Sequence, residues 1–135
     1  MDLITWNNNL RVNISKIDEQ HRKLVSIVND LNSAMGLGKG KEIMGNVLSS
    51  LIDYTKSHFA TEEELMEKYV YPGYLTHKAD HDALTKQVNE TMKKFTEGKA
   101  IVTVEVMNFL KDWLINHIQN TDKRYAPYLN SKGVV

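Results

Sequence analysis

Along this chain apolar residues, with histidines set among them, recur in alternating steps of three and four. The steps fall into four runs. The first is His21, Leu24, Val28, Leu31, Met35, and the second is Met44, Leu48, Leu51, Thr55, His58, Glu62, Leu65, Tyr69. The third is Tyr74, His77, His81, Leu84, Val88, Thr91 or Met92, Phe95, and the fourth is Val106, Leu110, Trp113, His117. Such a stripe is the inner face of an α-helix packed against others. Glycines at 36–45, the Tyr71-Pro72-Gly73 step and a Glu97-Gly98-Lys99 turn separate the runs, because neither glycine nor proline sustains a helix interior. The pattern predicts helices over about 16–36, 41–70, 74–96 and 103–125. Ser15 or Asp18 is the expected N-cap of the first, and Pro127 is expected just beyond the last. Lys39 and Lys41 belong to the glycine-rich loop. Residues 1–15 read as an irregular, Asn-rich arm whose Trp6 packs over the helices. Short connections force successive helices to run antiparallel. The expected fold is all-α: one domain over 1–135, an up-down-up-down four-helix bundle with an irregular N-terminal arm.

That topology gives the polar members of the stripes a common address. His21 lies early in its helix, His58 and Glu62 late in theirs, His77 and His81 early, His117 and Asp122 late. In an antiparallel bundle these are all the same end, so seven side chains meet at one level. The chain has five histidines in all, and every one is in this set. Buried imidazoles cannot satisfy one another cheaply, and two buried carboxylates cost several kcal/mol each without a partner. A cation removes both objections, and imidazole is the commonest metal ligand. The pairs spaced by four share a helical face. His117 and Asp122, spaced by five, would stand about 140° apart on an ideal helix. Either both reach inward from flanking positions or an extra residue is taken up as a π-bulge, so an irregularity is expected between His117 and Tyr125.

Composition removes alternatives. Seventeen basic residues balance seventeen acidic ones, which leaves no electrostatic footprint for nucleic acid or an anionic membrane. Cysteine is absent, excluding disulfides and thiolate ligands. The N-terminus lacks the basic start and apolar run of a secretory signal, and no stretch approaches the ~20 apolar residues of a membrane span; a cytoplasmic location is expected. Glu63, Glu64 and Glu67 read as a solvated face, although Glu63 or Glu64 could hydrogen-bond a ligand.

Two octahedral ions offer twelve positions. Five imidazoles, two bridging carboxylates and a bridging oxide or hydroxide fill eleven, leaving one open. Imidazole and carboxylate without thiolate suit iron, manganese or zinc, and six-coordination disfavours structural zinc, which is usually tetrahedral. One vacancy on a redox-capable pair invites a small diatomic ligand.

The stretches Ile17–His21 (IDEQH), His58–Pro72 (HFATEEELMEKYVYP), His77–His81 (HKADH) and Asp112–Asp122 (DWLINHIQNTD) resemble the hemerythrin family in its single-domain bacterial form. The resemblance covers nearly the whole chain and departs from the family pattern at none of the seven positions. It implies that His77, His81 and His117 hold one iron and that His21 and His58 hold the other. Glu62 and Asp122 then bridge, and the two-histidine iron keeps the open position. It also implies an apolar pocket of Leu24, Phe59, Trp113, Leu114 and Ile118. Their spacing makes these core residues too, so packing alone would account for them.

Three functions are compatible. Reversible dioxygen binding for storage, transport or delivery, with an oxygen-consuming enzyme as recipient, is favoured over enzymatic activity. Oxygen-activating bundle proteins use paired Glu-x-x-His motifs on a carboxylate-rich site, which this chain lacks. A di-iron oxidase, peroxidase or nitric-oxide-handling enzyme is the alternative. An oxygen sensor would need an output domain, and the chain ends about ten residues after the fourth helix, so signalling would require a separate partner. A monomer is expected, since no apolar seam is left unaccounted for.

Overall fold

The computed structural model describes residues 3–37, 41–97 and 104–135. Helix α1 spans Ser15–Gly36, α2 Lys41–Lys68 and α3 Tyr74–Thr96. The fourth rod is composite: α4 (Val104–Asn116), a π-helical turn (His117–Asp122) and α5 (Lys123–Ser131). Helix α1 packs on α2 and α4, and α2 packs on α3. The result is the expected four-helix bundle. Among the described residues, no helix is long and apolar enough to cross a membrane.

The expected seams are the buried ones. Leu24, Val28, Leu31, Leu51, Val88 and Leu110 all lie in one apolar cluster, with Met35, Leu84 and Met92 half-buried against it. The side chains of Met44, Leu48, Phe95 and Val106 fall outside the described residues, as do Lys39, Gly98, Lys99 and the side chain of Lys41.

Two expectations fail. The first concerns the N-cap of α1: Ile14 occupies that position and no side chain caps it. Asp18 is instead buried and accepts the Val12 amide at 2.7 Å, tying the arm to the helix. The arm is correspondingly well anchored. It contains a short 3-10 turn (Asn8–Leu10) and buries Ile4, Leu10, Val12 and Ile14. Asn29 pairs with both the N–H and the C=O of Ile4 at 2.9 Å. Trp6 packs against the core with the Arg22 guanidinium 5.1 Å above its ring.

The second concerns Pro127, which does not terminate the last helix but sits inside α5. A proline there removes one backbone donor and crowds the preceding turn, and packing outweighs that cost. Tyr125, Ala126 and Leu129 are buried with Val12, Ile14, Ile17 and Met66 in a second apolar cluster. This cluster closes the end of the bundle on the far side of the histidine layer.

Helix α2 stops two residues before the expected boundary, in a Schellman motif. The Tyr71 N–H donates to Met66 C=O at 2.9 Å and the Val70 N–H to Glu67 C=O at 3.2 Å, satisfying carbonyls the helix leaves open. Val70 takes the left-handed conformation that motif needs, with φ 53°, and its side chain is exposed. A β-branched residue is strained there. Val70→Gly should therefore raise stability by about 1 kcal/mol, part of the relief being offset by the freer unfolded chain. Urea denaturation reads this directly, and an unchanged or lower midpoint would show that Val70 is not strained.

Candidate metal centre

Helix α1 delivers His21 from its second turn. His58 and Glu62 come from α2, one turn apart, and His77 and His81 from the first two turns of α3. His117 and Asp122 are the first and last residues of the π turn. There the Lys123 N–H donates to Ile118 C=O, five residues back. In i→i+5 bonding, residues five apart close on each other as residues four apart do in an α-helix. The widened turn thus answers the spacing problem: it brings both side chains to the interior without either reaching round.

All seven are buried, with exposures of 0–4%. Asp122 Oδ2 lies 2.8 Å from His21 Nε2. Its Oδ1 lies 3.0 Å from His77 Nε2 and 3.1 Å from His117 Nε2. Glu62 Oε1 is 2.8 Å from His58 Nε2, 3.5 Å from His81 Nε2 and 3.6 Å from His117 Nε2. These atoms divide into two groups whose ligand atoms lie within 4.8 Å of one another. Glu62, His77, His81, His117 and Asp122 form one; His21, His58, Glu62 and Asp122 form the other. Both carboxylates belong to both groups. Despite these short approaches, Nε2 of His58, His77, His81 and His117, with Glu62 Oε1 and Asp122 Oδ1, makes no well-aligned hydrogen bond among the described residues. The polar atoms crowd together without pairing, as ligands around a cation do. The donor set fits two hard-to-borderline ions.

Outer contacts set the ligands' orientation. His58 Nδ1 is 2.7 Å from Gln20 Oε1 and His81 Nδ1 is 3.2 Å from Glu63 Oε2. An Nδ1–H donated outward leaves Nε2 free to ligate inward. Gln20 is itself held by Thr61 at 3.3 Å. Tyr125, wholly buried, donates its hydroxyl to Glu62 Oε2 at 2.5 Å. Burial and the adjacent Glu62 carboxylate push that phenol well above its ordinary pKa, so it stays a donor. Glu63 is therefore not simply solvated, while Glu64 and Glu67 are exposed. Gln20 and Tyr125 were not anticipated. Their only signal is position, one residue before His21 and three after Asp122.

Without metal the layer holds protons. Burial drives the His58 imidazolium down, but Glu62 and Asp122 outweigh it and hold its pKa at about 9. His117 likewise rises to about 10, with Asp122 the main opposing influence. Burial raises Glu62 and Asp122, yet the imidazoles around them pull both well below the carboxylate range.

On one side of the layer, Leu24, Phe59, Trp113, Leu114 and Ile118 are all buried in a single apolar cluster. Phe59 stacks on His81 at 3.8 Å between centroids, and Trp113 lies nearly parallel to His117 at 6.3 Å. A cleft of about 540 Å³ opens between α3 and α4, reaching Trp113 and His117 past Asp80, Leu84 and Phe109. It approaches the three-histidine group.

Residues 12–129 match the model of the hemerythrin HHE cation binding domain. The chain belongs to the hemerythrin family. Its relatives include the bacteriohemerythrin of Methylococcus capsulatus, 39% identical over 97% of this chain and 100% of that one. The bacteriohemerythrin of Stenotrophomonas maltophilia is also 39% identical, over 93% and 81%. The crystal structure of a wild-type hemerythrin superposes with a TM-score of 0.88 at 38% identity, covering 94% of this chain and 98% of that one. For a leucine-to-alanine hemerythrin variant the TM-score is 0.90 at 37% identity, covering 96% and 98%. The family and the cation-binding cluster therefore agree.

Proposed function

We propose that this hemerythrin binds dioxygen reversibly at a di-iron centre, for storage, transport or delivery. His77, His81 and His117 hold one iron, His21 and His58 the other, and Glu62 and Asp122 bridge them with an oxide or hydroxide. The observation that carries the reading is the unequal division of imidazoles, three in one donor group and two in the other, around two shared carboxylates. With equal coordination numbers the two-histidine iron has a position to spare. Iron supplies the reversible electron donation that dioxygen binding needs.

The surrounding residues serve retention rather than turnover. Gln20, Glu63 and Tyr125 fix ligand orientation. Leu24, Phe59, Trp113, Leu114 and Ile118 form a wall without an ionisable group, which excludes water and withholds the protons that would drive oxidised iron apart from its ligand. An oxidase or peroxidase needs an acid or base beside the reacting atoms. The buried imidazoles and carboxylates of this layer are already committed as ligands.

The test is to load the protein with ferrous iron without air, then alternate air and argon while recording the visible spectrum. Colour that appears and then reverses is the expected result. Irreversible oxidation, with peroxide release or substrate turnover, would overturn the carrier reading in favour of the enzyme. A second expectation concerns Leu114, fully buried in the wall. Leu114→Ala opens space for water and anions, so autoxidation and azide entry should each accelerate roughly tenfold or more, the scale of about 1.4 kcal/mol in a barrier. Unchanged rates would assign Leu114 to packing alone.

A further inference from the structure

The layer next to the histidines on the pocket side is not wholly apolar. Thr55 is 2% exposed, and its hydroxyl has no hydrogen-bond partner among the described residues. Buried donors are nearly always paired. A threonine within a helix has an easy local solution, the carbonyl four residues back. Thr61 takes it, bonding Ser57 C=O at 3.1 Å, and Thr91 takes it too, bonding Gln87 C=O at 3.1 Å. Thr55 does not bond Leu51 C=O, so its hydroxyl is turned elsewhere.

Its position follows from helix geometry. Seven residues separate Thr55 from Glu62, about 20° short of two full turns, so both point to the bundle interior. Thr55 precedes His58 by three residues, Leu24 follows His21 by three, and Leu114 precedes His117 by three. Each step is about 4.5 Å along its axis. Because α1 runs opposite to both α2 and the fourth rod, all three steps lead away from the histidines in the same direction. The His21 and His58 rings are 4.6 Å apart, which fixes the starting level on α1 and α2. Thr55 thus stands in the layer directly over the two-histidine group, level with Leu24 and Leu114. The Trp113 Nε1–H, in the same layer, is the other buried donor there with no partner among the described residues.

We propose that the Thr55 hydroxyl donates a hydrogen bond to small anionic or anion-like ligands bound at the open position of the two-histidine iron, making it a specificity residue of the pocket. The inference rests on the di-iron reading above. In a pocket otherwise lined by apolar side chains, a donor placed over the bound ligand discriminates sharply. It favours ligands whose far atom can accept a hydrogen bond, such as azide or reduced dioxygen, over those whose far atom cannot.

Azide tests this apart from oxygen reversibility. The oxidised, iron-loaded protein is titrated with azide by visible absorption, and the antisymmetric stretch of the bound azide is read by infrared spectroscopy. Thr55→Val keeps the shape and removes the donor; it should weaken azide about tenfold and shift the stretch, while Thr55→Ser stays near the wild-type values. Should Thr55→Val fail to load iron, Trp113→Phe serves instead, because it leaves Thr55 as the layer's remaining unpartnered donor. The azide stretch of that protein should still move on transfer to D2O. Azide affinity and stretch unchanged in Thr55→Val, or no D2O shift in Trp113→Phe, would overturn the proposal. A wild-type protein that holds two irons but takes up no azide would remove the open position itself, and the role of Thr55 with it. A protein that binds azide in the expected way yet oxidises irreversibly in air would sink only the carrier reading.

Discussion

Asp122→Ala should take the iron content from two per chain to one or none. Asp122 belongs to both donor groups, with one oxygen 2.8 Å from His21 and the other 3.0 and 3.1 Å from His77 and His117. Its removal deletes a ligand from each ion at once. It would also leave Glu62 as the remaining carboxylate shared by both donor groups among the described residues. Outer partners of metal ligands are typically worth 10–100-fold in affinity, and a shared inner carboxylate should be worth more. Elemental analysis after anaerobic loading and desalting gives the stoichiometry, with circular dichroism confirming that the helices persist. Two irons retained per chain would show that Asp122 does not bridge.

The position of Asp122 also shows what the sequence makes legible. A spacing of five from His117 conflicts with straight helix geometry and so announces a local irregularity, which the structure resolves as a π turn. Periodicity reveals the stripes, helix direction brings seven side chains to one level, and burial cost turns that coincidence into a cation. Each step is a long-range consequence of a local rule. Together they suffice for the bundle and its buried layer of histidines and carboxylates.

What stayed illegible depends on contacts between segments far apart in the chain. Pro127 reads as a terminator, because nothing local reports that Tyr125 and Leu129 will be buried against Val12, Ile14 and Met66. Asp18 reads as an N-cap, because its real partner, the Val12 amide, is six residues away in the arm, outside the helical stripe. Tyr125 reaches Glu62 across 63 residues. Val70 is the opposite case, a local conformation that a β-branched residue argues against and that the helix-ending bonds around it impose. These features seal and orient the layer rather than create it.

Stripping the metal should lower the melting temperature by at least about 10 °C near neutral pH. A ligand present at 1,000 times its dissociation constant stabilises by about 4 kcal/mol, and a domain of this size moves by roughly 3–5 °C per kcal/mol. The difference should also widen with pH, for a reason specific to this layer. In the metal-free protein the pKa values of His58 and His117 are raised from the ordinary 6.5 to about 9 and about 10. Raised folded-state values give stability that is complete below about pH 6.5, declines above it, and is gone once pH passes the folded values. The depressed carboxyls of Glu62 and Asp122 contribute above their ordinary values of 4.5 and 3.8 and lose that contribution as pH falls through the depressed ones. The metal-free chain is thus best supported between about pH 4.5 and 6.5. Iron binding follows the opposite slope, since His58 and His117 must give up their protons to ligate and the released protons favour binding at higher pH. From pH 6 to 9 the metal-free protein should weaken while the contribution of iron grows. Calorimetric scans with and without iron at pH 6, 7.5 and 9 test the divergence. Two melting curves that stay parallel across that range would mean the histidines are not exchanging protons for metal.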